Sequence, residues 1–156
     1  MYNIKIKYIG GIKVDMKIYN NKNEIDTSNF RAWAEIDLSK LKHNVEVIRK
    51  LLHDDVDIIG VVKANAYGHG DIVVSKYLES IGVKHFAVAF IEEAIKLRKS
   101  GIKGEIIILG WTPCCRKDEL IKYDLCQTLV SEEYAEELNK LPGVVKGYIK
   151  LNTGMN

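Results

Sequence analysis

Between residues 31 and 151, short β-branched apolar runs take turns with stretches whose apolar residues return every three or four positions. This alternation limits the fold more than any other feature. Consecutive strands separated by helices must be joined by crossovers, so they run parallel. Leu38, Leu41, Val45, Ile48 and Leu52 form one helical stripe, with Asp37 or Ser39 placed to cap its start. Residues 57–63 (DIIGVVK) have the continuous apolar character of a buried parallel strand. A second stripe runs through Val74, Tyr77, Leu78 and Ile81 and stops at Gly82. Strands are then expected over 85–89, 105–109, 127–130 and 144–151, with helices over 91–100 and 120–123 and one that Ser131 caps and Leu138 closes. The expected class is α/β, either a partial (β/α) barrel or an open doubly wound sheet. A closed barrel takes eight strands and about 250 residues, and this chain has 156. The pattern is therefore expected to stop before a barrel closes.

Residues 1–30 follow a different rule. Ile4, Ile6 and Tyr8, then Ile12, Val14, Met16 and Ile18, alternate with polar residues around Gly10-Gly11, the pattern of a β-hairpin. Residues 20–29 read as a polar linker. The organisation expected is an N-terminal extension over 1–30 and a barrel portion over 31–156. Lys5, Lys7, Lys13 and Lys17 read as the wet face of the hairpin strands. A net charge of +2 with scattered lysines gives no nucleic-acid footprint, and no apolar run approaches membrane-spanning length. The cysteines are Cys114, Cys115 and Cys126, an odd number without a C-x-x-C pair. They are expected to be reduced thiols of a cytoplasmic protein that holds no metal.

The segment that carries chemistry is Val61-Val62-Lys63-Ala64-Asn65-Ala66-Tyr67-Gly68-His69-Gly70. It places a lysine at the end of an apolar strand, and the C-terminal strand ends of a parallel sheet are its reactive face. An apolar wall there disfavours the charged ammonium, which makes the amine a better nucleophile and able to form a Schiff base with a carbonyl. A snorkelling structural lysine satisfies the same pattern. His69 in a glycine-rich turn reads as structural, His43 and His53 as surface residues, and Glu92 and Glu93 as dipole partners of a helix start.

VVKANAYGHG resembles the pyridoxal-phosphate attachment motif of the alanine racemase family, the fold-type III enzymes. Three further segments resemble that family in the same order: Arg31 to Asp37 (RAWAEID), Phe86 to Ala94 (FAVAFIEEA) and Lys150 to Asn156 (KLNTGMN). The resemblance implies the N-terminal portion of a (β/α) barrel and racemisation of a small amino acid, L-alanine to D-alanine first and serine second, for peptidoglycan supply. It implies pyridoxal 5'-phosphate held on Lys63, which also serves as acid–base group on one substrate face. Tyr67 matches a tyrosine that contacts the cofactor phosphate, Leu109 is placed beside the cofactor, and Lys150 matches a position carbamylated in some members. Asn152 departs from the aspartate usual in the motif, removing one charged partner.

Racemisation needs an acid–base group on each face of a planar carbanion. In the family the second is a tyrosine of a C-terminal β-domain, given by the other subunit of a homodimer. That tyrosine and an arginine following the last motif lie beyond Asn156, so the chain is expected to be a truncated portion inactive alone. The alternative is a non-catalytic pyridoxal-phosphate carrier or degenerate remnant; a fold-type III decarboxylase fits the tyrosine-glycine-histidine-glycine continuation less well. The opening strand pairs within the β-domain in family members, so the hairpin is expected to shield it here.

Overall fold

The computed structural model describes residues 2–9, 12–20 and 32–154, with side chains from residue 34 onward. The Gly10-Gly11 turn, residues 21–29 of the expected linker, Arg31 and the closing Met155-Asn156 lie outside the described residues. The described residues form two sheets. The first is antiparallel, in the order β2-β1-β3, from β1 (Tyr2–Ile9), β2 (Ile12–Asn20) and β3 (Ala32–Asp37). β1 pairs with β2 from Tyr2 opposite Asn20 to Ile9 opposite Ile12, and with β3 from Asn3 opposite Asp37 to Tyr8 opposite Ala32. The hairpin therefore occupies one edge of β3.

The second sheet is parallel and five-stranded, in the order β4-β5-β6-β7-β8, from β4 (Ile59–Val61), β5 (His85–Val88), β6 (Glu105–Ile108), β7 (Cys126–Leu129) and β8 (Lys146–Ile149). Strand order follows chain order, as in a barrel wall, and the sheet is not closed. Its helices are α1 (Leu38–Arg49), α2 (Lys63–Tyr67), α3 (Asp71–Ser80), α4 (Ile91–Lys99), α5 (Lys117–Lys122) and α6 (Glu132–Lys140). None of the described helices is long and apolar enough to cross a membrane.

Asp37 is the residue that caps α1, its Oδ1 accepting from the Ser39 amide at 2.8 Å. The Ser39 hydroxyl, donating to the same carboxylate, holds the Asp37 carboxyl below its usual range. α1 ends at Arg49, short of Leu52, where the Arg49 guanidinium leaves the helix line and donates to the Ile81 carbonyl at 2.8 Å.

Alternation along each strand divides the parallel sheet into two faces. One face points Phe86, Val88, Ile106 and Ile108 at the helices, against Leu78 of α3, Leu97 of α4 and Leu120 of α5, all buried in one core. The opposite face carries a smaller buried cluster of Ala87, Ile107 and Cys126, which share one register level. Near the N-terminal strand ends that face turns polar. His85 meets Glu105 at 3.1 Å and Asp57 at 3.4 Å, and the Tyr148 hydroxyl donates to Glu105 at 3.0 Å. The apolar layers hold the sheet, and the polar layer marks the end away from the strand tips.

Because β1 supplies the hydrogen bonds along β3, removing residues 1–20 is expected to speed amide exchange in β3 while leaving β5 and β6 protected. Exchange measured by mass spectrometry on both chains checks this; unchanged β3 protection would show that the hairpin does not cover it.

Candidate active site

Every strand of the parallel sheet ends on the same side, and the residues singled out in the sequence fall there. Lys63 stands two residues past β4, Leu109 one past β6, and Lys150 one past β8. The backbone ladder continues into these positions: Val62 donates to the Ala87 carbonyl at 2.8 Å, Leu109 to Val88 at 2.8 Å and Lys150 to Leu129 at 3.0 Å. With strands about 4.8 Å apart, Lys63 and Leu109 are separated by roughly 10 Å of sheet and Lys63 and Lys150 by roughly 19 Å. The structure thus sets them along one rim. Lys63 is half-buried, Tyr67 is 61% exposed and Leu109 39% exposed, so all three border the open side.

The strand stops at Val61, earlier than the apolar run suggests, because Lys63 opens the tight turn α2. Ala64, Asn65, Ala66 and Tyr67 all have positive φ, 51°, 57°, 51° and 53°. The turn is left-handed. For L-residues this conformation costs about 1–2 kcal/mol each and is normally visited singly, so four in succession must be held by their surroundings. The holding bonds are visible. Ala66 donates to the Val62 carbonyl at 2.9 Å, Gly68 to Ala64 at 3.1 Å and Gly70 to Asn65 at 2.9 Å. The Asn65 side chain accepts from the Asp71 amide at 3.2 Å, fixing the turn to the start of α3. His69 closes it, with Nδ1 donating to the Ala66 carbonyl at 2.8 Å, a structural use.

One residue that the sequence reading set aside does more than serve a helix dipole. Glu93 of α4 accepts from the Ala64 amide at 2.6 Å through Oε1, and from the Ala89 and Phe90 amides at 2.8 and 3.4 Å through Oε2. The available signal was a glutamate at the third helical position behind Phe90, which has no side-chain acceptor to complete a capping box. Asp71 was also missed: nearly buried, it takes the Lys96 ammonium at 2.7 and 2.8 Å and joins α3 to α4. Glu92 is a surface residue paired with Arg116.

The loop after β6 is equally constrained. A Cβ at Gly110 would lie 2.6 Å from the Ala89 carbonyl oxygen, which accepts the Gly110 amide at 3.1 Å. Gln127, fully buried, donates to the Gly110 carbonyl at 2.7 Å, and the Tyr134 hydroxyl donates to the Thr112 carbonyl at 2.7 Å. Burial pushes the Tyr134 phenol up to about 12, so it remains a donor at neutral pH. Trp111 lies on the rim above Tyr134, 57% exposed, the ring centroids 6.2 Å apart.

Residues 36–156 match the family model for the N-terminal domain of alanine racemase. The chain belongs to the alanine racemase family. It is 47% identical over 135 residues to an amino-acid racemase of Enterococcus faecalis, covering 86% of this chain and 19% of that protein. It is 46% identical over 127 residues to alanine racemase 1 of Clostridium acetobutylicum, covering 79% of this chain and 33% of that one. Among solved structures, an alanine racemase from Clostridium difficile 630 in complex with cycloserine superposes with a TM-score of 0.71 at 38% identity, over 78% of this chain and 33% of its own. An alanine racemase from Bacillus anthracis with bound L-Ala-P superposes with a TM-score of 0.63 at 36% identity, over 67% of this chain and 27% of its own. The chain thus spans a third or less of the length of these racemases.

Two outcomes are expected from this geometry. Ala64 is exposed and left-handed, so Ala64→Gly should stabilise the chain by up to about 1 kcal/mol, the relieved strain exceeding the added unfolded-state freedom; a lower midpoint in urea would contradict a left-handed turn. Burial pushes the Cys126 thiol up to about 11, whereas Cys115 is exposed. Alkylation at pH 7.5 should mark Cys115 well before Cys126, as read by peptide mapping.

Proposed function

We propose that this chain provides the cofactor-lysine side of a pyridoxal-phosphate-dependent racemase of a small amino acid, interconverting L- and D-alanine first and serine second. The observation that carries the reading is Lys63: half-buried, at the strand-tip rim of a parallel sheet, and followed by a left-handed turn in a chain of the alanine racemase family. The L-Ala-P bound by the Bacillus anthracis relative favours alanine. A primary amine and an exposed phenol on one rim are the donors that an aldehyde carrying a phosphate requires, so the residues fit the cofactor. When bound, pyridoxal phosphate supplies an electron sink that makes a substrate Cα proton removable.

The chain's own residues then divide the work. The Lys63 amine anchors the cofactor and moves a proton at the substrate Cα on one face. The Tyr67 hydroxyl donates to the phosphate, and Leu109 gives an apolar contact on the same rim. Lys150, once carbamylated, turns from cation to anion and holds an arginine. Proton return on the opposite face needs a second group, which we assign to the partner subunit of a homodimer. Without it, Lys63 alone leaves the chain a cofactor binder that does not turn over.

Incubation with pyridoxal 5'-phosphate, borohydride reduction and peptide mapping test this. The expected result is a stable mass increase on Lys63 above all other lysines, with no alanine racemisation by this chain alone. Label spread over surface lysines would sink the reading. Lys63→Ala should abolish the selective label, and a chain extended to full family length should racemise alanine only with Lys63 intact; selective label without turnover there would favour a carrier.

A further inference from the structure

We infer that Glu93 is the positioning residue for Lys63, holding the left-handed turn so that the amine faces the rim in one orientation. This rests on reading Lys63 as the cofactor lysine. The argument comes from what the carboxylate touches. Oε1 accepts from the amide of Ala64, the residue directly after Lys63, and Oε2 accepts from the amides of Ala89 and Phe90 beyond β5. Both oxygens face only N–H donors in these bonds. An ionised carboxylate is the one side chain of this length that accepts on both ends. A glutamine presents a donor at one of them, and whichever end it chooses leaves an amide facing an N–H.

Position amplifies the effect. Ala64 is the first of the four left-handed residues, so its amide fixes where the backbone changes hand. Ala89, on the other oxygen, accepts the Gly110 amide, and Ala87 accepts the Val62 amide. Glu93 therefore joins the tips of β4 and β5 through one group, and β6 through Ala89. Lys63 is flanked by this lattice: Val62 is buried on one side, and the Ala64 amide is held on the other. Loosening Ala64 frees the lysine backbone while the apolar core beneath stays packed.

The test compares Glu93→Gln with Glu92→Gln, the neighbour whose carboxylate pairs with Arg116 on the surface. Each chain is titrated with pyridoxal 5'-phosphate, reduced and mapped, and its visible absorption band and thermal melt are recorded. The expected result for Glu93→Gln is at least a tenfold rise in half-saturation at Lys63, a shifted absorption band and at least tenfold faster exchange of the Ala64 amide, with Glu92→Gln matching the unsubstituted chain. Lys63 labelling and Ala64 exchange in Glu93→Gln equal to the unsubstituted chain would overturn the inference while leaving the cofactor-lysine reading standing. Failure of the unsubstituted chain to label Lys63 would sink both. If Glu93→Gln does not fold, NMR of the unsubstituted chain decides: the Ala64 and Ala89 amide protons must follow the titration of the Glu93 carboxyl carbon, and independence of the two overturns the assignment.

Discussion

Parallel pairing is the constraint from which the rest of the chain follows. A strand that pairs in parallel must return to its starting end through a crossover, so each strand of β4-β5-β6-β7-β8 brings its tip to one side of the sheet. The crossovers are helices, and they pack on one face, where Phe86, Val88, Ile106 and Ile108 are removed from water. The remaining face and the tips are left for other uses. Lys63, Leu109 and Lys150 are far apart in sequence yet reach one rim because the pairing register admits no other arrangement.

The two ends of that sheet are built by different means. At the N-terminal ends, side chains bond to one another or to distant carbonyls: His85 with Glu105, Tyr148 with Glu105, and Arg98 with the carbonyls of Tyr123, Ile102, Gly104 and Asp124. At the tips, the bonds run mostly from backbone amides and single side chains that clasp loops, as with Glu93 on Ala64 and Gln127 on Gly110. The first arrangement resists opening of the sheet. The second fixes backbone geometry within a loop, which is what a group acting at a rim requires.

The strands, most of the helices and the rim position of Lys63 were legible in the sequence because they rest on period and composition. The apolar runs at 85–89 and 105–109 became β5 and β6 within one residue at the C-terminal end. The hairpin alternation likewise became β1 and β2. What was not legible depended on neighbours distant in sequence. Nothing local in Glu93 says that its carboxylate will reach Ala64, 29 residues earlier. The early end of the strand at Val61 was also hidden, since residues 58–62 (IIGVV) carry no polar side chain and the change of hand begins only after Lys63. Nothing local marks Asp71 either, because its burial against Lys96 arises from the packing of α3 on α4.

The left-handed turn has a consequence for how such chains diverge. Branching at Cβ is poorly tolerated at positive φ, and Ala64-Asn65-Ala66-Tyr67 contains no β-branched residue although the flanking segments, IIGVV and DIVV, are full of them. Substitution across these four positions is filtered by backbone conformation before any ligand is involved. The conformation favours glycine, asparagine, aspartate or alanine at the small positions of the turn, a restriction that the extended strand beside it does not impose. The stretch that makes the family recognisable is therefore partly a record of chain geometry, and it would persist in a descendant that had given up the reaction but kept the turn.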